Sequence, residues 1–133
     1  MKIAIPRLGR ILLCAIQHDL SDDDALAFQS NLLETIVGVE ALGVVIDISA
    51  LDVVDSFMAR VINDTSSMAR LLGAEVIVCG IQPFVALTLV EMGQGLLGAN
   101  CTFNLEQGLN TLQARIALRG DFVNPKDSDA RSQ

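Results

Sequence analysis

The 133-residue chain contains no tryptophan and no tyrosine, and aromatic residues make up only 4% of it. This composition removes most of the side chains on which nucleic-acid bases stack. Basic residues are also scarce, with 9 lysines and arginines against 16 aspartates and glutamates and a formal net charge of −7. A chain this acidic repels the phosphates of nucleic acids and of anionic lipids. We therefore expect neither nucleic acid nor a membrane as a partner.

Residues that carry metal or nucleophilic chemistry are few. His18 is the only histidine, and the three cysteines show no CxxC spacing. Zinc sites and Ser-His-Asp triads need more of these residues than the chain offers. The sequence therefore predicts no metal, no cofactor and no enzymatic activity. Because the cysteines lie in apolar stretches, they are expected to be buried, reduced thiols of a cytoplasmic protein: Cys14, Cys79 and Cys101.

Long apolar runs are absent as well. The longest stretch without a charged residue, Val76 to Val90, is broken by Gln82 and Pro83 and is shorter than the roughly 20 residues that a spanning helix needs. Hydrophobic residues nevertheless make up 51% of the chain, which suits one globular domain with its own core. So high an apolar share in so small a domain also predicts exposed apolar patches and self-association.

The hydrophobic pattern alternates between strands and helices. Two short apolar segments separated by Gly9 and Arg10 predict an N-terminal antiparallel hairpin. The later β-branched runs and helical periods predict a parallel sheet. The fold class is therefore α/β, with a mostly parallel central sheet, one N-terminal antiparallel strand and about four covering helices. Strands are expected at 3–8, 11–16, 44–48, 76–79 and 101–103, and helices from Ser21 to about Gly38, from about Ser56 to Gly73, from Pro83 to Met92 and from Asn104 to Ile116. The domain is expected to span 1–118, followed by a flexible polar tail at 119–133.

One glycine motif is discounted. Gly93, Gly95 and Gly98 spell GxGxxG, the spacing of dinucleotide-binding turns. The motif follows a predicted helix instead of a strand, and no acidic residue stands about 20 positions later. We interpret it as a helix end and a loop.

The segment between the 44–48 strand and the second helix concentrates carboxylates and hydroxyls. On a structural interpretation, Asp55 or Ser56 caps the helix, Asp52 lies in the loop and Asp47 binds backbone at the strand end. A second possibility is that Asp47, Asp52 and Asp55 hold Mg²⁺ in a small nucleotide-binding enzyme. A third is that Ser56, near an exposed helix start, accepts a phosphoryl group from a kinase.

Four stretches of the chain, in order, carry a recognisable pattern: 43–48 (GVVIDI), 53–59 (VVDSFMA), 68–74 (MARLLGA) and 80–83 (GIQP), with support from 27–29 and 105–109. With these stretches the chain resembles STAS domains, named for sulfate transporters and anti-sigma-factor antagonists. More narrowly, it is similar to the small single-domain scaffold proteins of the bacterial stressosome, the RsbS type. The resemblance covers about residues 3–118.

The resemblance implies a non-catalytic signalling protein in the bacterial cytoplasm. It implies that Ser56, the serine after an aspartate, is phosphorylated by a dedicated switch serine/threonine kinase and dephosphorylated by a serine phosphatase. The unmodified scaffold, assembled with larger sensor paralogues that carry the same domain, would hold the kinase and release it on phosphorylation. Asp52, Asp55 and Phe57 would contact the kinase around Ser56. A stand-alone antagonist that binds an anti-sigma kinase one to one is the alternative.

Overall fold

The computed structural model describes residues 3–93 and 100–120. In this part of the chain, strands and helices alternate after an initial pair of strands. The strands are β1 (Arg7–Leu8), β2 (Ile11–Ala15), β3 (Gly43–Asp47), β4 (Glu75–Cys79) and β5 (Asn100–Thr102), and the helices are α1 (Asp22–Val39), α2 (Ser56–Leu71), α3 (Pro83–Glu91) and α4 (Leu105–Leu118).

The five strands form one sheet in the order β1-β2-β3-β4-β5. β1 pairs with β2 in antiparallel orientation, and the remaining neighbours are parallel. Gly9 makes the tight turn between β1 and β2 with a φ of 62°, which glycine adopts without strain. The predicted α/β class, with its parallel sheet and N-terminal antiparallel strand, is confirmed. The first strand is shorter than expected, since only Arg7 and Leu8 pair within the predicted 3–8 segment.

Successive residues of each strand face opposite sides of the sheet, and both sides are covered. On β3, Val44 and Ile46 face the larger core, which α1, α2 and α3 complete. Val45 faces a smaller core completed by Leu112 and Ile116 of α4. Because the strand is buried on both faces, its sequence is a continuous β-branched run without polar alternation.

Local sequence signals set the helix starts. Ser21 caps α1, with its Oγ accepting a hydrogen bond from the Asp24 backbone N–H at 3.1 Å. Asn104 caps α4 in the same way, accepting from the Gln107 N–H at 2.8 Å. α1 runs one residue past the predicted end at Gly38 and is closed by Glu40, whose φ of 52° places it in the left-handed region. Within 3–93 and 100–120, no helix combines the length and apolar character needed to cross a membrane.

The prediction that all three thiols are buried is wrong for one of them. Cys14 and Cys79 lie in the core, whereas Cys101 is exposed. The reason is that Cys101 lies on β5, a three-residue strand that has a neighbour on one side only among the described strands. Burial raises the pKa of both core thiols to about 12. For Cys79, the negative charge of Asp47 adds to the effect of burial.

Two predictions lie partly or wholly outside the described residues. Gly95 and Gly98 of the GxGxxG motif fall there, while Gly93 follows the end of α3 with a φ of 67°, as a helix end requires. α4 ends at Leu118, and the predicted tail is described only as far as Gly120.

Candidate functional site

The candidate site lies in the loop that connects β3 to α2 and at the start of that helix. β3 and β4 are parallel, so their carboxyl ends reach the same edge of the sheet. The loops that follow them lead into α2 and α3, whose N-termini therefore lie at that edge as well. In parallel sheets this edge is where functional groups usually collect.

Asp55 is the residue that caps α2. Its Oδ1 accepts a hydrogen bond of 2.7 Å from the Met58 backbone N–H, and its own backbone is extended. Ser56 is therefore the first residue of the helix, and its side chain is exposed. Of the two capping residues considered from sequence, the structure assigns the cap to Asp55, so the Ser56 hydroxyl is not used for it.

Asp47 stabilises the start of the loop, as the structural interpretation expects. It lies half-buried at the end of β3, and its Oδ1 accepts from the Ser49 backbone N–H at 2.9 Å. In the part of the chain that the structure describes, no three His, Cys, Asp or Glu side chains lie close enough to hold a metal ion. Asp47, Asp52 and Asp55 are thus not brought together as the Mg²⁺ alternative requires.

The loop before Ser56 is tied to the loop before α3. The side-chain amide of Gln82 donates to the Ser49 carbonyl oxygen at 2.7 Å, across 33 positions of sequence. Gly80 makes close approach possible, because a Cβ at this position would lie 2.6 Å from Ser49 Cβ and 2.9 Å from Asp47 Oδ1. Its φ of 77° also favours glycine. The position of the loop that leads to Ser56 therefore depends on residues of a different segment.

Exposed carboxylates precede Ser56 in the chain, and a further one comes from the segment before α1. Asp52 and Asp55 precede it in the loop, and both are exposed. Asp19, from the segment before α1, joins Asp55 in lining a small cavity of about 130 Å³. We call Asp19, Asp52 and Asp55 the acidic edge. It gives the surface beside the Ser56 hydroxyl a negative potential.

Phe57 lies at the boundary between the core and the surface. It is half-buried and packs against the larger core, so part of its ring remains at the surface next to Ser56. All four predicted site residues thus reach the surface at the start of α2: Asp52, Asp55, Ser56 and Phe57.

Other hydroxyl groups of this region differ in access. Thr65 and Ser66 lie on the buried side of α2 with 1% exposure, and their hydroxyls donate to the Val61 and Ile62 carbonyl oxygens. No enzyme can reach them in the folded chain. Ser49 and Ser67 are exposed, so they are the relevant comparison for Ser56.

Two features of the site were not predicted from the sequence. Asp19 reaches the acidic edge from a segment 36 positions before Asp55, and no periodicity indicates that contact. The Gln82 contact was hidden for the same reason, although Gln82 stands before Pro83 at a helix start, a position where side-chain hydrogen bonds are common.

Comparisons with known proteins agree on one family. Residues 2–96 match the STAS domain. RsbRA of Bacillus subtilis (strain 168), an RsbT co-antagonist protein, is 31% identical over 107 residues. That match covers 80% of this chain but 39% of the relative, so the chain spans well under half the length of that protein.

Solved structures are similar over most of the chain. A serine-to-glutamate variant of RsbS from Moorella thermoacetica is 39% identical with a TM-score of 0.79, covering 88% of this chain and 99% of that one. A chain from a study of the molecular architecture of the stressosome, described as a signal integration and transduction hub, is 40% identical with a TM-score of 0.71. It covers 84% of this chain and 96% of its own length.

Proposed function

Because this chain belongs to the STAS domain family, we propose that it is a non-catalytic stressosome scaffold that sequesters a switch serine/threonine kinase and releases it when Ser56 is phosphorylated. The observation that carries the proposal is the exposed Ser56 hydroxyl at the first position of α2, beside the acidic edge. The similarity to RsbS, over nearly the full length of both chains, supports the choice of scaffold over other members of the family.

The position of Ser56 allows phosphorylation without unfolding. The hydroxyl is exposed, and Asp55 already caps the helix, so a kinase need break no hydrogen bond of the cap to reach it. A phosphate there would lie at the positive end of the α2 dipole, near backbone N–H groups of the first turn. Arg60, exposed four residues later, lies on the same side of the helix and can pair with the phosphate. The fold is therefore expected to tolerate the modification.

The same phosphate changes what a partner meets. It adds a charge of about −1.5 to −2 at pH 7. Since Asp52 and Asp55 already make this surface negative, a bound kinase would face a concentrated anionic patch in place of a neutral hydroxyl. Like-charge contacts and buried unpaired charges across an interface cost enough to weaken binding about a hundredfold. The domain stays folded while its partner dissociates.

The proposed partners follow from this arrangement. Asp52, Asp55 and the exposed part of Phe57 form the kinase contact around Ser56, and a serine phosphatase resets the switch. Larger STAS-domain sensor paralogues, for which RsbRA is the model, assemble with the chain into a hetero-oligomeric complex in the cytoplasm. The proposed domain is 1–118, and 119–133 is its tail.

Site mapping after incubation with the cognate switch kinase and ATP tests the modification. Mass spectrometry is expected to locate one phosphate, on Ser56. Ser56→Ala should abolish incorporation, whereas Ser49→Ala, a matched change at another exposed serine of the same edge, should leave it unchanged. Phosphate incorporation that survives in Ser56→Ala and is lost in Ser49→Ala would show that the kinase modifies Ser49 and that the proposal for Ser56 is wrong.

Binding measurements test the release. The affinity of the kinase for the phosphorylated chain is expected to be about a hundredfold lower than for the unmodified chain. Equal affinities would overturn the switch. Sedimentation of the co-expressed chain, kinase and sensor paralogue should give a large mixed complex, and a one-to-one complex with the kinase alone would favour the stand-alone antagonist.

A further inference from the structure

A cavity opens at the carboxyl end of β2. Its volume of about 360 Å³ lies within the range of small-molecule sites. The lining is mostly apolar and comes from the segment 3–6, from β2 and the residues that follow it, and from the start of α4. None of Asp52, Asp55, Ser56 and Phe57 lines it. The cavity is therefore separate from the proposed phosphorylation site, although both lie at the same edge of the sheet.

The cavity exists because α4 leaves part of β2 uncovered. α4 packs mainly on β3, β4 and β5. Ile11, at the amino end of β2, is buried in the smaller core, whereas Leu13 and Ala15, which face the same side of the sheet, are only half-buried. The segment 3–6 forms a wall and is held by the Leu13 N–H, which donates to the Pro6 carbonyl oxygen at 2.8 Å. The floor and the wall of the cavity thus belong to the folded framework.

Asp47 supplies a carboxylate to the cavity. It lies half-buried on β3, directly opposite Ala15 of β2. Its Oδ1 accepts from the Ser49 N–H, which is its one hydrogen-bond donor among the described residues, so its second oxygen can accept from a ligand. The other polar lining side chains, Gln17 and His18, are exposed. No lysine or arginine stands among the described residues that line the cavity.

We propose that this cavity binds a small apolar molecule that carries one positively charged amine. The apolar walls remove the body of the ligand from water, and Asp47 accepts a charge-assisted hydrogen bond from its ammonium group. The net charge of −7 also attracts a cation to the chain and repels a carboxylate. Neither Ser56 nor a kinase takes part in this binding, which therefore goes beyond the proposed switch.

Titration of the full chain with matched probes tests the class of ligand. 3-Phenylpropylamine, 3-phenylpropanol and 3-phenylpropanoate share a ring and a short chain and differ in their polar group. By NMR of the backbone amides, we expect the amine to bind with a Kd of about 1 mM, as suits a ligand of about ten non-hydrogen atoms. The alcohol should bind about tenfold more weakly, and the carboxylate more weakly still. The shifts should be largest at Leu13, Ala15 and Asp47 and absent at Ser67, which lines a different cavity.

Substitutions at Asp47 test the role of its charge. Asp47→Asn keeps an acceptor for the Ser49 N–H but removes the charge, so it should weaken amine binding about tenfold and leave alcohol binding unchanged. Asp52→Asn is the matched control, because it removes an exposed carboxylate of the following loop that does not line the cavity. It should change amine binding by less than about twofold, as distant exposed charges are screened.

Filling the cavity tests its location. Ala15→Ile adds a β-branched side chain, which strands accommodate well, to the cavity floor. It should weaken binding of the amine and of the alcohol more than tenfold, and circular dichroism should show a folded domain. Phosphorylation of Ser56 in Ala15→Ile is expected to match the wild type. The ligand site and the switch can therefore fail independently of each other.

A lysine side chain of a protein partner would offer the same ammonium group. Nα-acetyl-lysine methylamide, which lacks the ring, is expected to bind about tenfold more weakly than 3-phenylpropylamine, because it buries less apolar surface. Binding as tight as that of 3-phenylpropylamine would assign the cavity to a protein partner and overturn the small-molecule ligand.

Three further results would overturn the proposal. The first is the lack of any saturable shift with the amine up to about 10 mM, the range in which such weak binding is measurable. The second is tighter binding of the carboxylate than of the amine. The third is an amine affinity in Asp47→Asn or Ala15→Ile that equals that of the wild type.

Discussion

Asp55 and Ser56 are adjacent, yet they have different tasks. Asp55 holds the first turn of α2 through its carboxylate, while the Ser56 hydroxyl projects from the helix start without a structural hydrogen bond to the cap. This division matters for the proposed phosphorylation of Ser56. If Ser56 were the cap, phosphorylation would disturb the helix it starts, whereas here the cap remains intact when Ser56 changes.

Replacing the cap tests that division. Asp55→Ala is expected to lower the free energy of unfolding by about 1 kcal/mol, because the Met58 N–H loses its acceptor. Urea denaturation measures the change, and the slope of unfolding free energy against urea should stay constant if the fold is retained.

Two controls separate the cap from charge. Asp55→Asn keeps an acceptor of the same length and is expected to retain nearly all the stability. Asp52→Ala removes an exposed carboxylate from the same loop and should change the unfolding free energy by less than about 0.5 kcal/mol. Equal losses for Asp52→Ala and Asp55→Ala would show that the carboxylate charge, and not the cap, stabilises this segment.

At the scale of elements, the loop before Ser56 depends on α3. Gln82 stands at the N-cap position of α3 but makes no side-chain cap; its amide instead donates to Ser49. The neighbouring amides of the loop are themselves bonded, Ser49 N–H to Asp47 and Leu51 N–H to the Ile48 carbonyl. A change at the start of α3 can therefore reach the segment that leads to Ser56.

Gln82→Ala is expected to loosen this loop without unfolding the domain. Losing one hydrogen bond of about 1 kcal/mol should speed hydrogen exchange at the Ser49 and Leu51 amides about fivefold. Exchange at core amides of β3 should be unchanged. Gln113→Ala, at an exposed position on α4, is the control and should leave the loop as in the wild type. Equal loop exchange in both variants would contradict a positioning role for Gln82.

Which elements could be predicted from sequence depends on the range of the signal. Ser21 and Asn104 mark helix starts by bonding to residues three positions away, and both predictions are confirmed. The length of β1 depends on where the chain leaves its partner β2, which no local pattern encodes. The exposure of Cys101 depends on its place at the sheet edge, and the Gln82 contact joins segments 33 positions apart. The residues of the proposed site could therefore be named from the sequence, whereas the contacts that hold their segment in place could not.

At the scale of the whole molecule, the starts of α2 and α3 lie at the same edge of the sheet but differ in charge. The segment before α2 carries the exposed carboxylates Asp52 and Asp55, whereas the only charged residue of α3 is Glu91, at its end. A phosphate on Ser56 would therefore add charge to a surface that is already negative and leave the surface of α3 unchanged.

The buried thiols are expected to make the free energy of unfolding of the whole domain depend on pH in the alkaline range. The chain has no tyrosine, and lysines occur only at Lys2 and Lys126, so cysteines are a large share of the groups that titrate above neutral pH. Burial raises the pKa of Cys14 from 9.0 to about 12. Between these values the unfolded chain releases the thiol proton while the native state keeps it, so the free energy of unfolding falls as pH rises.

Urea denaturation at a series of alkaline pH values tests this sign. Each buried thiol is expected to lower the free energy of unfolding by up to about 1.4 kcal/mol per pH unit above about pH 9, with no contribution below it. Cys14→Ala should be less stable at neutral pH, because it leaves a cavity, but should show a shallower decline with pH. Cys101→Ala, at the exposed thiol, should lose less of the decline than Cys14→Ala does. A pH dependence that is the same in Cys14→Ala and the wild type would mean that the Cys14 thiol ionises as readily in the folded domain as in the unfolded chain.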